Sequence, residues 1–272
     1  VNQKKKEQNN LSIMEQYMAK AEKINGFSLK AKVIESAASK MNVGYKNAAD
    51  SKSDVVTLLG NIGTAAPDDL FATVTESAST YAPSDASYTL RAPDGAPVLA
   101  LADMWGNSFT EEGTTDTVNM SYSVIAESNV LQNMTSGEAD FIVAPINVGA
   151  NVHNGFKGGN MTYDYKLVNV TSWGVVYFTT NNDKYSPRDE FAEGREGALE
   201  FLKQFDGDTV STIGLAAIPG KTAEYLFKQA GANVTLSGSD ATVIQQSYVK
   251  GDSMTAVFAE PAITATNIAT KK

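Results

Sequence analysis

Four short turns in the chain carry residue types suited to holding a small polar molecule: Asp94-Gly95-Ala96, Pro145-Ile146-Asn147, Gly220-Lys221-Thr222 and Glu260-Pro261. Each follows a strand-like run and opens a helical pattern. A turn of that kind leaves backbone N–H groups without intrahelical acceptors at the carboxyl end of a strand, which favours an anionic or polar ligand group. Gly95 and Gly220 allow the backbone to approach such a group closely. Lys221 offers a positive charge to an anion, whereas Glu260 suits an amine or a polarised N–H, so the two together leave the ligand's charge open. Trp173, between Ser172 and Gly174, reads either as a core residue or as a cleft wall that stacks on ligand.

Chemistry beyond binding is not expected. The absence of cysteine removes disulfides, thiolate metal sites and Cys nucleophiles, and one histidine cannot build a multi-His metal centre. That residue, His153, lies in an Asn-rich helix end whose Asn151 and Asn154 offer no charge partner, so it reads as a surface histidine. Gly220-Lys221-Thr222 resembles the end of a phosphate-binding loop, but the pattern needs glycine at position 215, which is Leu. Asp94 and Glu260 have no arranged nucleophile or second acid, so neither an acid–base pair nor a cofactor is expected. The net charge of −9 argues against nucleic acid, which selects clustered Lys and Arg. No apolar run approaches the roughly 20 residues that span a bilayer.

The elements that must position these turns fall into two grammars. Residues 1–75 read as helical: a capping box at Ser12 and Glu15, an apolar stripe over 28–41 ended by Asn42-Val43-Gly44, and a short third helix over 53–59. A stretch poor in bulky residues, 75–84, reads as a linker. Strands and helices then alternate. Strands are expected at 87–92, 118–125, 139–144, within 165–180, at 212–216, 233–236 and 254–259. Helices are expected at 98–105, 129–136, from 145, at 193–205, 223–230, 241–250 and from 260. Two successive strand–helix sets imply an α/β chain of two doubly wound lobes, with ligand beyond the carboxyl ends of the strands.

Four stretches carry a family likeness: Ala-Pro-Asp-Gly-Ala-Pro (92–97), Ala-Asp-Phe-Ile-Val-Ala-Pro-Ile-Asn (139–147), Thr-Ser-Trp-Gly-Val-Val-Tyr (171–177) and Ala-Val-Phe-Ala-Glu-Pro (256–261). In order and spacing they resemble the type-2 extracytoplasmic solute-binding proteins of ABC importers, in the branch that includes sulfonate, nitrate and thiamine-precursor binders. The resemblance implies two lobes joined by a hinge that closes on ligand, with 171–174 where the chain first crosses. In that family a return strand and a helical tail follow the Glu-Pro helix. Here residues 1–75 look like that tail, which implies a circular permutation and leaves the segment expected between Lys272 and Val1, with most of the return strand, absent or unrecorded.

The expected organisation is therefore a helical segment 1–75 packing on lobe one, a linker 76–84, lobe one over 85–172, lobe two over 173–265 and a terminal tail 266–272. The expected function is non-catalytic capture of a small polar or anionic organic solute in an interlobe cleft. The ligand contacts are Asp94, Gly95, Ala96, Pro145, Ile146, Asn147, Ser172, Trp173, Gly220, Lys221, Thr222 and Glu260. The expected partners are that solute and the membrane subunits of an ABC importer, met by a monomer held outside the cytoplasmic membrane. The parent protein would be periplasmic or a cell-surface lipoprotein, with its signal and anchor lying outside this chain. Two alternatives stay open: an enzyme on the same fold, such as a dehydratase or cofactor-precursor synthase, and an engineered permuted ligand-binding or sensor scaffold.

Overall fold

Alternating runs such as Ser-Tyr-Thr-Leu-Arg-Ala, bounded by Pro-Asp-Gly, fold as strands that pass into helices, and the chain is mixed α/β. The computed structural model describes residues 19–20, 23–27, 42–73, 86–106, 108–110, 117–173, 176–180, 184–239 and 257–259. The chain divides into two compact units. Within the described residues the first comprises 19–27, 42–56 and 65–173, and the second comprises 57–64 and the residues from 176 onward.

The first unit begins with strand β1, Val43–Asn47, which leads into helix α1, Ala48–Asn61. Asn47 caps that helix: its Oδ1 accepts the Asp50 N–H at 2.7 Å, and its Nδ2 donates to the Asp50 carboxylate at 2.7 Å. Such a cap satisfies a donor that the first helical turn leaves orphaned. Strand β2, Ala86–Pro93, precedes the five-residue helix α2, Ala96–Ala100. A short strand β3, Ser108–Thr110, is followed by β4, Thr117–Ile125, helix α3, Val130–Ser136, strand β5, Phe141–Ile142, helix α4, Ile146–Lys157, and strand β6, Asn169–Ser172.

The main sheet of this unit has the order β3-β4-β2-β5. β2 runs parallel to β4, from Ala86 opposite Val118 to Pro93 opposite Ile125, and parallel to β5, while β3 is an antiparallel edge. Both faces are covered, as a parallel sheet requires. On one face Leu90 and Ala92 are buried, Gly26 packs on Val124, and the Tyr122 hydroxyl donates to the Val98 carbonyl of α2 at 3.1 Å. On the other, Ile125 and Ile142 pack against Val130 and Met134 of α3 and Val152 of α4. A second, two-stranded sheet pairs β1 antiparallel with β6, Asn47 lying opposite Asn169 and Val43 opposite Ser172.

The second unit carries β7, Tyr177–Thr179, helix α5, Gly194–Lys203, β8, Thr209–Ile213, helix α6, Ile218–Ala230, β9, Thr235–Ser239, and β10, Val257–Ala259. Its sheet has the order β7-β10-β8-β9, with β8 parallel to β9 and β10 and β7 antiparallel at the edge. Phe205 and Phe227 are fully buried, and with Val210, Leu202 and Ala223 they form the core. Phe178 meets Phe205 edge to face at 4.9 Å and Phe227 at 5.7 Å, the geometry that the ring quadrupoles favour.

Several expectations need correction. The first 75 residues are not all helical. Val43-Gly44, expected to end a helix, belongs to a strand, because its backbone groups find partners on β6, and the third helix starts at Ala48, well before residue 53. The strand expected over 139–144 is only Phe141–Ile142, and Phe141 is 39% exposed. The helix expected over 98–105 starts at Ala96 and gives way to a 3-10 turn at Ala102–Met104. The strand expected over 212–216 runs Thr209–Ile213, the helix expected from 223 starts at Ile218, and the strand expected over 233–236 runs Thr235–Ser239. The first unit ends at Trp173, and residues 57–64 group with the second unit. The helices expected over 28–41, 241–250 and from 260, the linker 76–84 and the tail 266–272 lie outside the described residues.

Candidate functional site

The first turn singled out by sequence leaves the carboxyl end of β2. The Gly95 N–H donates to Asp94 Oδ1 at 2.9 Å, and the Gly95 carbonyl accepts from Val98 N–H at 3.2 Å. Gly95 has φ 106° and ψ −145°, a region open in practice only to glycine. A Cβ there would meet nothing closer than Pro97 Cδ at 3.9 Å, so the requirement is torsional and not steric. Gly95→Ala is expected to lower stability by about 1–3 kcal/mol through this strain alone. Chemical denaturation of the purified variant measures it, and an unchanged midpoint would show that the turn relaxes without cost.

The second turn leaves β5, the parallel neighbour of β2, so the two turns stand side by side at one sheet edge. Val143 N–H continues the pairing by donating to the Arg91 carbonyl at 2.9 Å. Pro145 is the N-cap of α4, Ile146 is its first residue, and Asn147 is buried in the first turn. The Pro145 carbonyl accepts from Val148 and Gly149 at 2.9 and 3.1 Å.

Farther along α4 the structure overturns the surface reading of His153. The ring is completely buried, with Nδ1 2.6 Å from an Asp164 carboxylate oxygen and Nε2 3.2 Å from one of Asp69. Lys157, one turn on, contacts the other oxygen of Asp69 at 2.5 Å. Asn151 and Asn154, its sequence neighbours, do not supply these partners; Asp69 lies 84 positions away, where sequence spacing gives no hint. The Lys157 ammonium, and after it the His153 ring, holds the Asp69 carboxyl down at about 2. This cluster fastens residues 69 and 164 to α4. It is a structural clasp.

In the second unit, Gly220 is where the strand-to-helix turn closes. A Cβ at Gly220 would lie 2.5 Å from the Gly214 carbonyl oxygen and 2.6 Å from that of Leu215, so only glycine lets the first turn of α6 press onto this loop. Lys221 N–H is bonded to Ala217 O at 3.0 Å, and Pro219 has no N–H, so Ile218 and Gly220 hold the first-turn donors without an intrahelical acceptor. Thr222 follows, half-buried. The Lys221 side chain does not stand free for an anion: its Nζ is 2.9 Å from Glu224, one turn down the exposed face of the helix. Glu260 lies outside the described residues.

Two polar groups here were missed by sequence reading. Thr212, next to last in β8, is fully buried and its hydroxyl has no hydrogen-bond partner among the described residues. A buried hydroxyl without a partner carries a penalty of about 1–3 kcal/mol. Arg91, in the middle of β2, is half-buried and donates to the Ser123 hydroxyl, its register mate on β4. Among the described residues no carboxylate pairs with it. Arg91 shares the polar side of the β2 alternation with Ser87 and Thr89, so the strand pattern held no signal that set it apart.

Ser172 and Trp173 stand at the end of β6, with Ser172 opposite Val43. Trp173 is 48% exposed, so it is not the core residue that one reading of the sequence allowed. Among the described residues no cluster of His, Asp and Glu is arranged to hold a metal ion, and no helix is long and apolar enough to cross a membrane. No protein-family model matches the chain, and no curated protein matches it.

Proposed function

We propose that the chain captures a small polar or anionic organic solute without transforming it and delivers it to an ABC-type importer. The reading includes the two-lobed, circularly permuted type-2 arrangement that the sequence motifs resemble, and it places the protein outside the cytoplasmic membrane. The observation that carries it is the turn between β8 and α6. There a parallel strand ends in a buried Thr212 hydroxyl with no partner among the described residues, and the glycine-seated start of a 13-residue helix follows. N–H donors without an intrahelical acceptor and the helix dipole at such a point favour an anionic or polar group by about 0.3–1 kcal/mol when exposed and up to ~2 when partly buried.

The first unit contributes the paired turns at Asp94–Ala96 and Pro145–Asn147. It also supplies Arg91, whose fork of donors suits a carboxylate, sulfonate or phosphonate. Lys221, tied to Glu224 on an exposed face, contributes less to anion capture than its sequence position implied, since exposed pairs of this kind are worth about 0–1 kcal/mol. Native mass spectrometry of protein purified without denaturation tests the proposal. A small molecule that leaves unchanged on denaturation and rebinds supports it. A molecule recovered in altered form, or consumed on incubation, would replace it with the enzyme reading.

A further inference from the structure

We infer that Gly44 is the positioning residue that stands Trp173 on edge as a stacking platform, and that the solute taken there carries a flat, delocalised ring. The inference rests on the reading of Trp173 as a ligand contact. Val43 lies opposite Ser172 in the antiparallel β1–β6 ribbon, which makes Gly44 and Trp173 diagonal neighbours across the two strands. A Cβ on Gly44 would lie 2.9 Å from Trp173 Cη2, 3.5 Å from Cζ3 and 3.7 Å from Cζ2. The tip atom is nearest and its two ring neighbours stand behind it. The indole therefore meets Gly44 through the outer edge of its six-membered ring and not through a face.

A ring seated on its edge leaves its π faces to other groups, which agrees with a side chain as large as tryptophan being 48% exposed. A contact of 2.9 Å is shorter than real Cβ atoms show, so any side chain at position 44 displaces the ring tip. The backbone entering the strand is specified too: Asn42 has φ 46°, a left-handed conformation that Asn tolerates better than most residues. Offset stacking of flat rings is what an exposed indole face recognises best. That chemistry selects a heteroaromatic or similarly delocalised solute over a flexible aliphatic one.

The test uses the full chain carrying Trp105→Phe, so that Trp173 is the single tryptophan of the two in the sequence. Fluorescence is titrated with N-methylnicotinamide, a flat ring that quenches indole by stacking, and with acrylamide, which quenches by collision alone. The expected result is saturable quenching by N-methylnicotinamide, with association about tenfold above that of free N-acetyltryptophanamide. Gly44→Val should remove that excess while acrylamide quenching stays or rises. Gly44→Ala serves the same purpose if the larger variant does not fold, as read by its thermal transition. Linear quenching equal to the free amide overturns the platform, and saturable quenching unchanged in both Gly44 variants overturns the role of Gly44. Either failure leaves the mass-spectrometric outcome untouched, so the platform and the solute-capture reading fail separately.

Discussion

Replacing His153 with leucine is expected to lower the stability of the first unit by about 2–4 kcal/mol, although the substitution exchanges one buried side chain for another of similar size. The cost arises from what is left behind. His153 places its two ring nitrogens 2.6 and 3.2 Å from Asp164 and Asp69. Without the ring, the Asp164 carboxylate stays partly desolvated with no donor from α4 among the described residues, and Asp69 keeps its contact with Lys157. Lys157→Met should cost much less, because its ammonium is exposed. Equilibrium denaturation of the three proteins measures the difference. Equal losses for both variants would mean that the buried ring is not the keystone of the cluster.

The same cluster sets an acid limb. Asp69 is held down at about 2 from an ordinary 3.8, first by Lys157 and then by His153. A carboxyl whose folded pKa is depressed stabilises the fold fully above its unfolded value, and that contribution fades as pH falls from about 4 towards 2. Asp69→Asn should therefore lower stability at neutral pH and flatten its decline between those two values. A melting temperature that falls as steeply in the variant as in the parent would remove Asp69 from the explanation.

Gly220→Val is expected to cost about 3 kcal/mol or more and, under the proposed function, to abolish solute binding. The new Cβ would fall 2.5–2.7 Å from the backbone of Gly214 and Leu215, and neither a carbonyl oxygen nor a Cα can swing aside as a side chain can. The first turn of α6 must lift off the β8–α6 loop, carrying the Ile218 and Gly220 donors with it. Gly149→Ala in α4 is the control, since nothing lies within 4 Å of its Cβ. Alanine is the better helix former, so that change should be neutral or stabilise by up to about 1 kcal/mol. Thermal unfolding of both variants checks the contrast. A Gly220→Val protein as stable as the parent would show that the loop is looser than its geometry implies.

The alternation of strand and helix was determined by sequence alone wherever local propensity and hydrophobic period agreed. β2 and β4 lie within a residue or two of their expected bounds, because Tyr-Thr-Leu-Arg-Ala-Pro and Val-Asn-Met-Ser-Tyr-Ser-Val-Ile alternate and end at turn residues. The glycine turns at 95 and 220 were marked as points of close approach. Only the tertiary structure separated their reasons: a backbone torsion at Gly95 and a missing side-chain volume at Gly220. Strand β1 was invisible because Val-Gly-Tyr-Lys-Asn is short and holds a glycine; its identity comes from β6, more than 120 residues away. His153 was misread for the same cause. Burial and the approach of Asp69 and Asp164 are non-local, and no neighbour within a helical turn records them. Lys221 shows the limit from the other side: its place at a helix start was foreseen, but the choice between a ligand and Glu224 belongs to a side-chain rotamer, which the sequence pattern does not record. Short-range patterns specify elements because backbone torsions are local, whereas the partners of a polar side chain are set by whichever distant segment the core brings beside it.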